Sequence, residues 1–473
     1  MSELRRGMGL TSVVSTSTGL AFAAIEYLAA AGLLVYVAGS LAWLAIATAG
    51  VLVLLAWAFF GELNGLYPTA AAIRLYMSRS MDDRVALTIT MSYMATIVLV
   101  LAADAYIVGS AFTHVTGLPG AVTGLVIALL LGAATVSNLA GINVAARVQD
   151  VATAVVILIT VVLGVLAFGE PRTQGSRIAE RLHPHGPGGF LTAVALGVLL
   201  FSAFEWVTTS SEEVRDLRLI PRGMLITLGI LAVTCSLVAT AMGRLLSDAE
   251  LKSAYPQLFL GRHLLGEGGY VLMMAVTLVT AINTFNGGFI TASRFVYAAA
   301  REGSLPPVFA RLNDRLVPWV PVLVLAGASF VAALLVSLTG EFEVLLSAGA
   351  ALESGIYAVA GYCVWSLRRR QPDAERPFRM FGAGVLSWVG MVLFGLLALV
   401  ASTQVGDRTD PTPLLVIALV AGGSVYYVLR VLPKVQAAAA ARASAVPRRR
   451  PVRAAATTVA DPAGEAGDDE PPA

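Results

Sequence analysis

Long apolar runs constrain this chain more than any single motif. A helix needs about 20 apolar residues to cross a hydrocarbon core, and runs of that length recur from residue 11 to residue 431. They fall at roughly 11–37, 41–66, 85–112, 119–138, 144–168, 190–210, 223–246, 269–299, 318–339, 343–366, 382–403 and 412–431. None alternates with the period of two that a lipid-facing barrel strand requires. Every backbone polar group in lipid must be satisfied internally, so the expected fold is all-α and integral to the membrane, with twelve transmembrane helices. Composition agrees: only 13% of the 473 residues are charged, against roughly 25% in soluble domains.

The basic residues give the expected orientation. With the N-terminus inside and the spans alternating, about 25 of the 32 Lys and Arg residues fall on the cytoplasmic side, as the positive-inside rule demands. The inside clusters include Arg215, Arg218 and Arg222, and the run from Arg368 to Arg379. They read as topology signals and headgroup contacts rather than ligand sites. Residues 1–10 are then a retained cytoplasmic N-terminus with no cleavable signal peptide, because the following apolar stretch is too long. From 433 to 473 the chain turns to Ala, Arg and Pro with an acidic end, which reads as a disordered cytoplasmic tail. Cys235 and Cys363 sit in apolar runs as small core residues. His183 and His185, in the loop 169–189, lack further Cys or His nearby and do not read as a metal site.

Two spans carry similar polar interruptions. The first places Ser15, Thr16, Ser17, Thr18 and Gly19 within a long apolar stretch, and the sixth places Ser202, Ala203, Glu205, Thr208 and Thr209 likewise. Broken helices at corresponding positions of two inverted repeats point to a binding site near the bilayer midplane. There the freed N–H groups of a helix start suit a carboxylate, and freed carbonyls with acidic side chains suit an ammonium. Ser and Thr also bond backward to helix carbonyls without any break, so the interruption admits a second reading.

Four segments then resemble, in order, the amino acid, polyamine and organocation (APC) superfamily of permeases, over roughly residues 10–430. They are "FFGELNGLYPTAAAIRLY", "SNLAGINVAARVQD", "FSAFEWVTTSSEEVRDLRLIPRGM" and "NTFNGGFITASRFVYAAAREGSLPPVFARLN". The resemblance implies the inverted five-plus-five repeat of the leucine transporter class with broken helices 1 and 6. Repeat one would span 11–168, repeat two 190–366, and two extra helices 382–431. It also implies alternating access, with a substrate carboxylate at the first-helix break and an ammonium near carbonyls of the sixth. Carried over, the carboxylate motif falls on Ser17, Thr18, Gly19, Leu20 and Ala21, with one of its two glycines kept. The sixth-helix break falls on Phe201, Ser202, Ala203, Phe204 and Glu205, with Phe201 as an aromatic gate and Ala203 where the family usually has Gly.

Coupling is where this chain departs from its relatives. Several carry a fifth-helix lysine; here that position is about Val156, and the span has no Lys. Thr291 and Ser293 of the eighth helix, with first-helix carbonyls, offer oxygen ligands to sodium. Glu205 offers a proton site, and exchange or uncoupled transport stays open. Glu26, Asp104 and Glu353 have no basic residue in their own spans, so each is expected to face the bundle interior or water. Asp104 is the most suggestive, because the third helix lines the family's site. Glu62 reads as the organiser of a cytoplasmic contact.

The expectation is a multi-pass permease of the cytoplasmic membrane, both termini inside, moving an amino acid or related amine as its small-molecule partner. A polyamine or cationic amine transporter, with Glu205 or Asp104 as counter-charge, and a non-transporting sensor on the same fold are the alternatives. No cofactor, bound metal or nucleic-acid partner is expected. An enzyme is disfavoured, since neither a Gly-rich Lys-Ser/Thr nucleotide loop nor a metalloprotease His-Glu pair occurs.

Overall fold

The computed structural model describes residues 8–23, 26–69, 72–140, 146–171, 185–405 and 408–445, with a few side chains inside these ranges left out. The expected all-helical membrane architecture is present. In chain order the helices are α1 (Leu10–Ala23), α2 (Glu26–Ala38), α3 (Ala42–Leu66), α4 (Ile73–Ser80), α5 (Asp83–Thr116), α6 (Thr123–Leu139), α7 (Ala146–Leu166) and α8 (Gly186–Leu200). A 3-10 segment (Phe204–Glu213) leads on to α9 (Leu219–Leu245), α10 (Asp248–Leu251), α11 (Pro256–Arg301), α12 (Trp319–Thr339) and α13 (Phe342–Arg370). α14 (Ala383–Thr403), α15 (Thr412–Tyr426) and α16 (Leu432–Ala445) complete the described chain.

Ten helices among the described residues are long and apolar enough to cross a bilayer. Two shorter apolar helices, Tyr27–Ala38 and Thr153–Leu166, fall in the first and fifth expected spans. Large apolar side chains such as Leu396, Leu399, Leu415 and Leu419 stand exposed on α14 and α15, as helices solvated by lipid require.

Three expectations are corrected. Ser15 to Gly19 do not break the first span: α1 runs through them as continuous helix from Leu10 to Ala23. The Ser17 and Thr18 hydroxyls find partners on other elements, so these polar residues are accommodated without unwinding the backbone. The tail does not begin at 433, because the Ala-rich run continues as α16 to Ala445. Alanine has the highest intrinsic helix propensity, and this run holds five in the eight residues before Ala443. Residues 446–473 lie outside the described residues. A two-residue antiparallel pairing, Gln404–Val405 with Arg408–Thr409, adds a strand pair that hydropathy did not anticipate.

Packing brings the two interrupted spans together. α1 packs on α9, α2 on α8, and α3 on both α8 and α9. Small residues allow the close crossing of α3 and α8: a Cβ on Gly197 would lie 2.7 Å from the Ala49 Cβ. The chain turns back at Gly266 (φ 62°, ψ −150°), so α11 is a short helix followed by a long one. Only a residue without a Cβ fits at the adjacent Gly269, where an added carbon would overlap the Gly261 carbonyl.

At one end of the bundle the Glu62 carboxylate holds three pieces of chain together. Arg368 of α13 reaches it with two nitrogens, at 2.8 and 2.6 Å. The Arg376 Nε lies 3.1 Å away, and the Met380 backbone N–H donates at 2.9 Å. Beside it Phe378 packs on the Trp57 ring at 5.2 Å, and the Trp57 indole donates to the Pro221 carbonyl at 2.7 Å. Glu62 thus organises a contact, as expected, but as a buried ion cluster only 2% exposed.

Candidate functional site

The break in the sixth span is local and sharp. α8 ends at Leu200; the Phe201 and Ser202 N–H groups bond to the Val198 and Leu199 carbonyls three residues back, tightening the last turn. Ala203 then adopts a left-handed conformation, φ 66° and ψ −2°, and the chain resumes as the 3-10 segment. A methyl in that region costs about 1–2 kcal/mol that glycine avoids. Ala203→Gly is therefore expected to stabilise the protein by about 1 kcal/mol, after the entropy glycine adds to the unfolded chain. A rise in thermal midpoint in detergent is the check; a fall would show that the methyl is held by packing.

The first span meets this break directly. Ser17, fully buried on α1, donates to the Phe204 carbonyl at 2.9 Å, a contact between residues 187 apart in sequence. Thr18 is hydrogen-bonded to Thr227 of α9 at 3.0 Å. At the start of α1, Met8 pairs with Val214 at the far end of the 3-10 segment, and the Arg215 N–H donates to the Met8 carbonyl. The two interrupted spans are knit together at both ends of this region.

Between them lies a cleft whose roughly 750 Å3 of empty space includes open solvent. Ala21 and Tyr27 bound it from the first span, and Leu199, Ser202, Ala203 and Trp206 from the sixth. α5 supplies Thr96, Ile97, Val100 and Leu101, α11 supplies Thr284, Gly287 and Gly288, and α13 supplies Glu353. The lining is chiefly apolar, with Glu353 as its one carboxylate among the described residues.

Glu205 sits immediately behind this lining and is fully buried. The Tyr93 hydroxyl of α5 donates to its Oε1 at 3.0 Å, and the Tyr357 hydroxyl of α13 to its Oε2 at 3.1 Å. Trp206 leans on Tyr93 with ring centres 5.9 Å apart, and Phe204 on Tyr357 at 6.2 Å. No ion pair to Glu205 occurs among the described residues; the ion pairs found involve Glu62, Asp83, Glu250 and Glu267.

The expected site residues separate into groups. Ser202 and Ala203 line the cavity, with Glu205 directly behind. Ser17 and Thr18 are buried and bonded away from it, next to Gly19 on the same helix. Phe201 is buried against α3, near Gly50, rather than at the cavity wall. Asp104 is buried on the same stripe of α5 as Tyr93, Ile97 and Val100, about 16 Å along the axis from Tyr93 at 1.5 Å per residue. Ser293 is buried on α11, and Val156 on α7. The side chains of Leu20, Glu26 and Thr291 lie outside the described residues.

Sequence reasoning missed Tyr93, Tyr357, Thr96, Tyr27 and Trp206, and gave Glu353 no partner. One signal was available: Glu353 and Tyr357 stand four residues apart, on one face of a helix.

Comparison with known proteins agrees with this geometry. The sequence profile of the amino acid permease family matches residues 8–423. Over 296 residues the chain is 24% identical to an uncharacterized amino acid permease of Bacillus subtilis, covering 59% of this chain and 65% of that one. It is 26% identical over 292 residues to the rat large neutral amino acids transporter small subunit 2, covering 58% and 52%. An uncharacterized transporter of Mycobacterium tuberculosis is 27% identical over 328 residues, covering 69% and 73%. The match therefore spans about half to two thirds of the length of the first two relatives. In three dimensions the chain resembles a manganese transporter of Eremococcus coleocola, with a TM-score of 0.61 over 92% of this chain and 97% of that one. At 13% identity that likeness speaks for the fold alone. With the profile covering nearly all the membrane-spanning chain, this protein belongs to the amino acid permease family.

Proposed function

We propose that the chain is a secondary transporter that carries an amino acid with an apolar side chain, or a closely related amine, across the cytoplasmic membrane by alternating access. The observation that carries this reading is a cavity bounded by both interrupted spans. Two inverted five-helix repeats, 11–168 and 190–366, with extra helices at 382–431 and both termini cytoplasmic, are the architecture that goes with it.

The chemistry of the walls supports the substrate class. Tyr27 reaches the cavity from the first span and brings a polar hydroxyl to it. The break at Ser202 and Ala203, with Glu353 opposite, is where an ammonium is best held. Ile97, Val100, Leu101, Leu199 and Trp206 leave the remaining wall apolar. A diamine would need two carboxylates, and the described lining offers one. The printed name of the rat relative, a large neutral amino acids transporter, points the same way. We assign proton coupling to Glu205, and keep sodium at Thr291 and Ser293 as the competing coupling mode. The fold neighbours named for manganese carry no weight on cargo, and no cluster of three His, Cys, Asp or Glu suited to a metal occurs among the described residues.

A thermal-shift screen of the purified chain tests the class. A ligand present at 100 times its dissociation constant stabilises the folded state by about 2.7 kcal/mol. L-leucine or L-phenylalanine is expected to raise the midpoint equally with and without sodium. A response to putrescine alone, or one that requires sodium, would contradict the reading.

A further inference from the structure

Hydroxyls on the membrane helices repeatedly bond to their own backbone. In α5, Thr88, Thr90 and Ser92 each donate to the carbonyl four residues back, at 2.9, 2.6 and 3.0 Å. Across the cavity, Thr284 of α11 does the same at 3.2 Å. A hydroxyl spent in this way needs no partner from a ligand.

Thr96 stands one turn after Ser92 and departs from the series. Its side chain is buried, at 3% exposure, and its hydroxyl has no hydrogen-bond partner among the described residues, not even the Ser92 carbonyl. Yet Thr96 is one of the residues that line the cavity. A buried hydroxyl left unpaired carries the full penalty of its lost hydration, and a partner arriving from the cavity removes that penalty. Threonine has two accessible χ1 rotamers in a helix, so the hydroxyl can turn to a ligand without moving the backbone.

Its level on α5 indicates which part of a ligand it meets. Tyr93, three residues earlier and about 4.5 Å along the axis, donates to Glu205 at 3.0 Å, and Trp206 leans on the Tyr93 ring. Thr96 therefore stands beside the sixth-span break, whose Ser202, Ala203 and Trp206 line the same cavity. The other cavity residues of α5, Ile97, Val100 and Leu101, follow it along the helix and are all apolar. The lining face of α5 thus has one polar position, at the end nearest Tyr93, and an apolar run beyond it.

We propose that Thr96 is a specificity-determining residue: its hydroxyl oxygen accepts an N–H of the substrate's amino group, while Ile97, Val100 and Leu101 pack on the apolar side chain. The proposal rests on the amino acid reading above and adds to it the direction in which the substrate lies along α5. A site built to hydrogen-bond a group rejects an analogue lacking that group far more strongly than an apolar wall rejects a change in size. Thr96 accordingly selects against leucine-shaped acids that have no amine.

Thr96→Val replaces the hydroxyl with a methyl of similar volume, and its two expected effects have opposite signs. Without ligand, the thermal midpoint of the purified full chain in lipid nanodiscs should hold or rise, because an unpaired buried polar atom is gone. Binding of radiolabelled L-leucine should weaken by at least about tenfold, the scale of a lost hydrogen bond to a charged group. The preference for L-leucine over 4-methylpentanoate, its counterpart without the amine, should narrow by the same factor. Thr96→Ser keeps the hydroxyl and should keep the preference. A lowered midpoint, or a Thr96→Val chain that does not fold, would mean that the hydroxyl serves packing and would overturn the proposal. Native leucine affinity in Thr96→Val would overturn it as well, and equal losses for L-leucine and 4-methylpentanoate would refute the assignment to the amino group. Each of these results leaves the amino acid reading standing. A native protein that binds neither L-leucine nor any other amino acid would instead remove that reading, and the proposal with it.

Discussion

Replacing Glu62 with alanine is expected to destabilise the protein by about 3–5 kcal/mol, because it strands buried positive charge. Arg368 and Arg376 converge on this carboxylate, and the Arg376 side chain is only 5% exposed. The loss includes the donor to Glu62 from the Met380 backbone, so the segment 371–380 loses its anchor on α3. Glu62→Gln keeps the shape and one acceptor but not the charge, and is expected to fall close to the alanine variant. Denaturation in detergent, by heat or by a denaturing surfactant, measures both. A cost under about 1 kcal/mol, the scale of an exposed pair, would mean the cluster is solvated. Replacing all three charged residues with apolar side chains is expected to restore part of the loss, since buried ion clusters are often no more stable than apolar packing.

Glu205→Ala is expected to cost about 2–5 kcal/mol, since two buried hydroxyls lose their acceptor at about 1–3 kcal/mol each. Tyr93 and Tyr357 are both buried to within 4% of full exclusion. Glu205→Gln retains a carbonyl for one tyrosine and is expected to fold with at most half that loss, while flux loses its pH dependence. The pairing of variants separates structure from coupling: equal stability loss in both would place the carboxylate's charge, not its acceptor oxygens, at the centre. Adding Tyr93→Phe and Tyr357→Phe to Glu205→Ala should recover most of the stability, since partner and orphan are removed together.

The membrane spans were legible because hydropathy over 20 residues is a long, redundant signal, and ten of the expected spans reappear as long helices. Local chemistry was less legible. Ser15 to Gly19 looked like a helix break, yet Ser17 and Thr18 use their hydroxyls to bond Phe204 and Thr227, contacts between residues 187 and 209 apart that no local pattern reveals. The sixth-span break was found at the right residues because Ser202, Ala203 and Glu205 interrupt an otherwise uniform apolar run, and Ala203 carries the left-handed turn. Glu205 could be read as cavity-adjacent but not as bonded to Tyr93, 112 positions earlier, or Tyr357, 152 later. Those partners are set by how α5 and α13 cross the break, which depends on tertiary packing.

Phe201 illustrates the limit of carrying a motif residue by residue. Its ring packs toward Gly50 of α3, the glycine supplying the space, so the motif position is occupied while the side chain faces away from the cavity wall. Glu353 is the reverse case, an acid with no motif around it that the fold brings to the wall.

The central claim is that the cavity between the first and sixth spans binds a transported amino acid. Counterflow in proteoliposomes tests it most directly: vesicles loaded with unlabelled L-leucine should accumulate external radiolabelled L-leucine transiently and saturably. Glu353→Gln and a bulky Ala203→Trp at the cavity wall should abolish that accumulation while leaving reconstitution intact. Absence of saturable counterflow for leucine, other amino acids and amines in the native protein, or undiminished counterflow in the Ala203→Trp variant, would contradict the account.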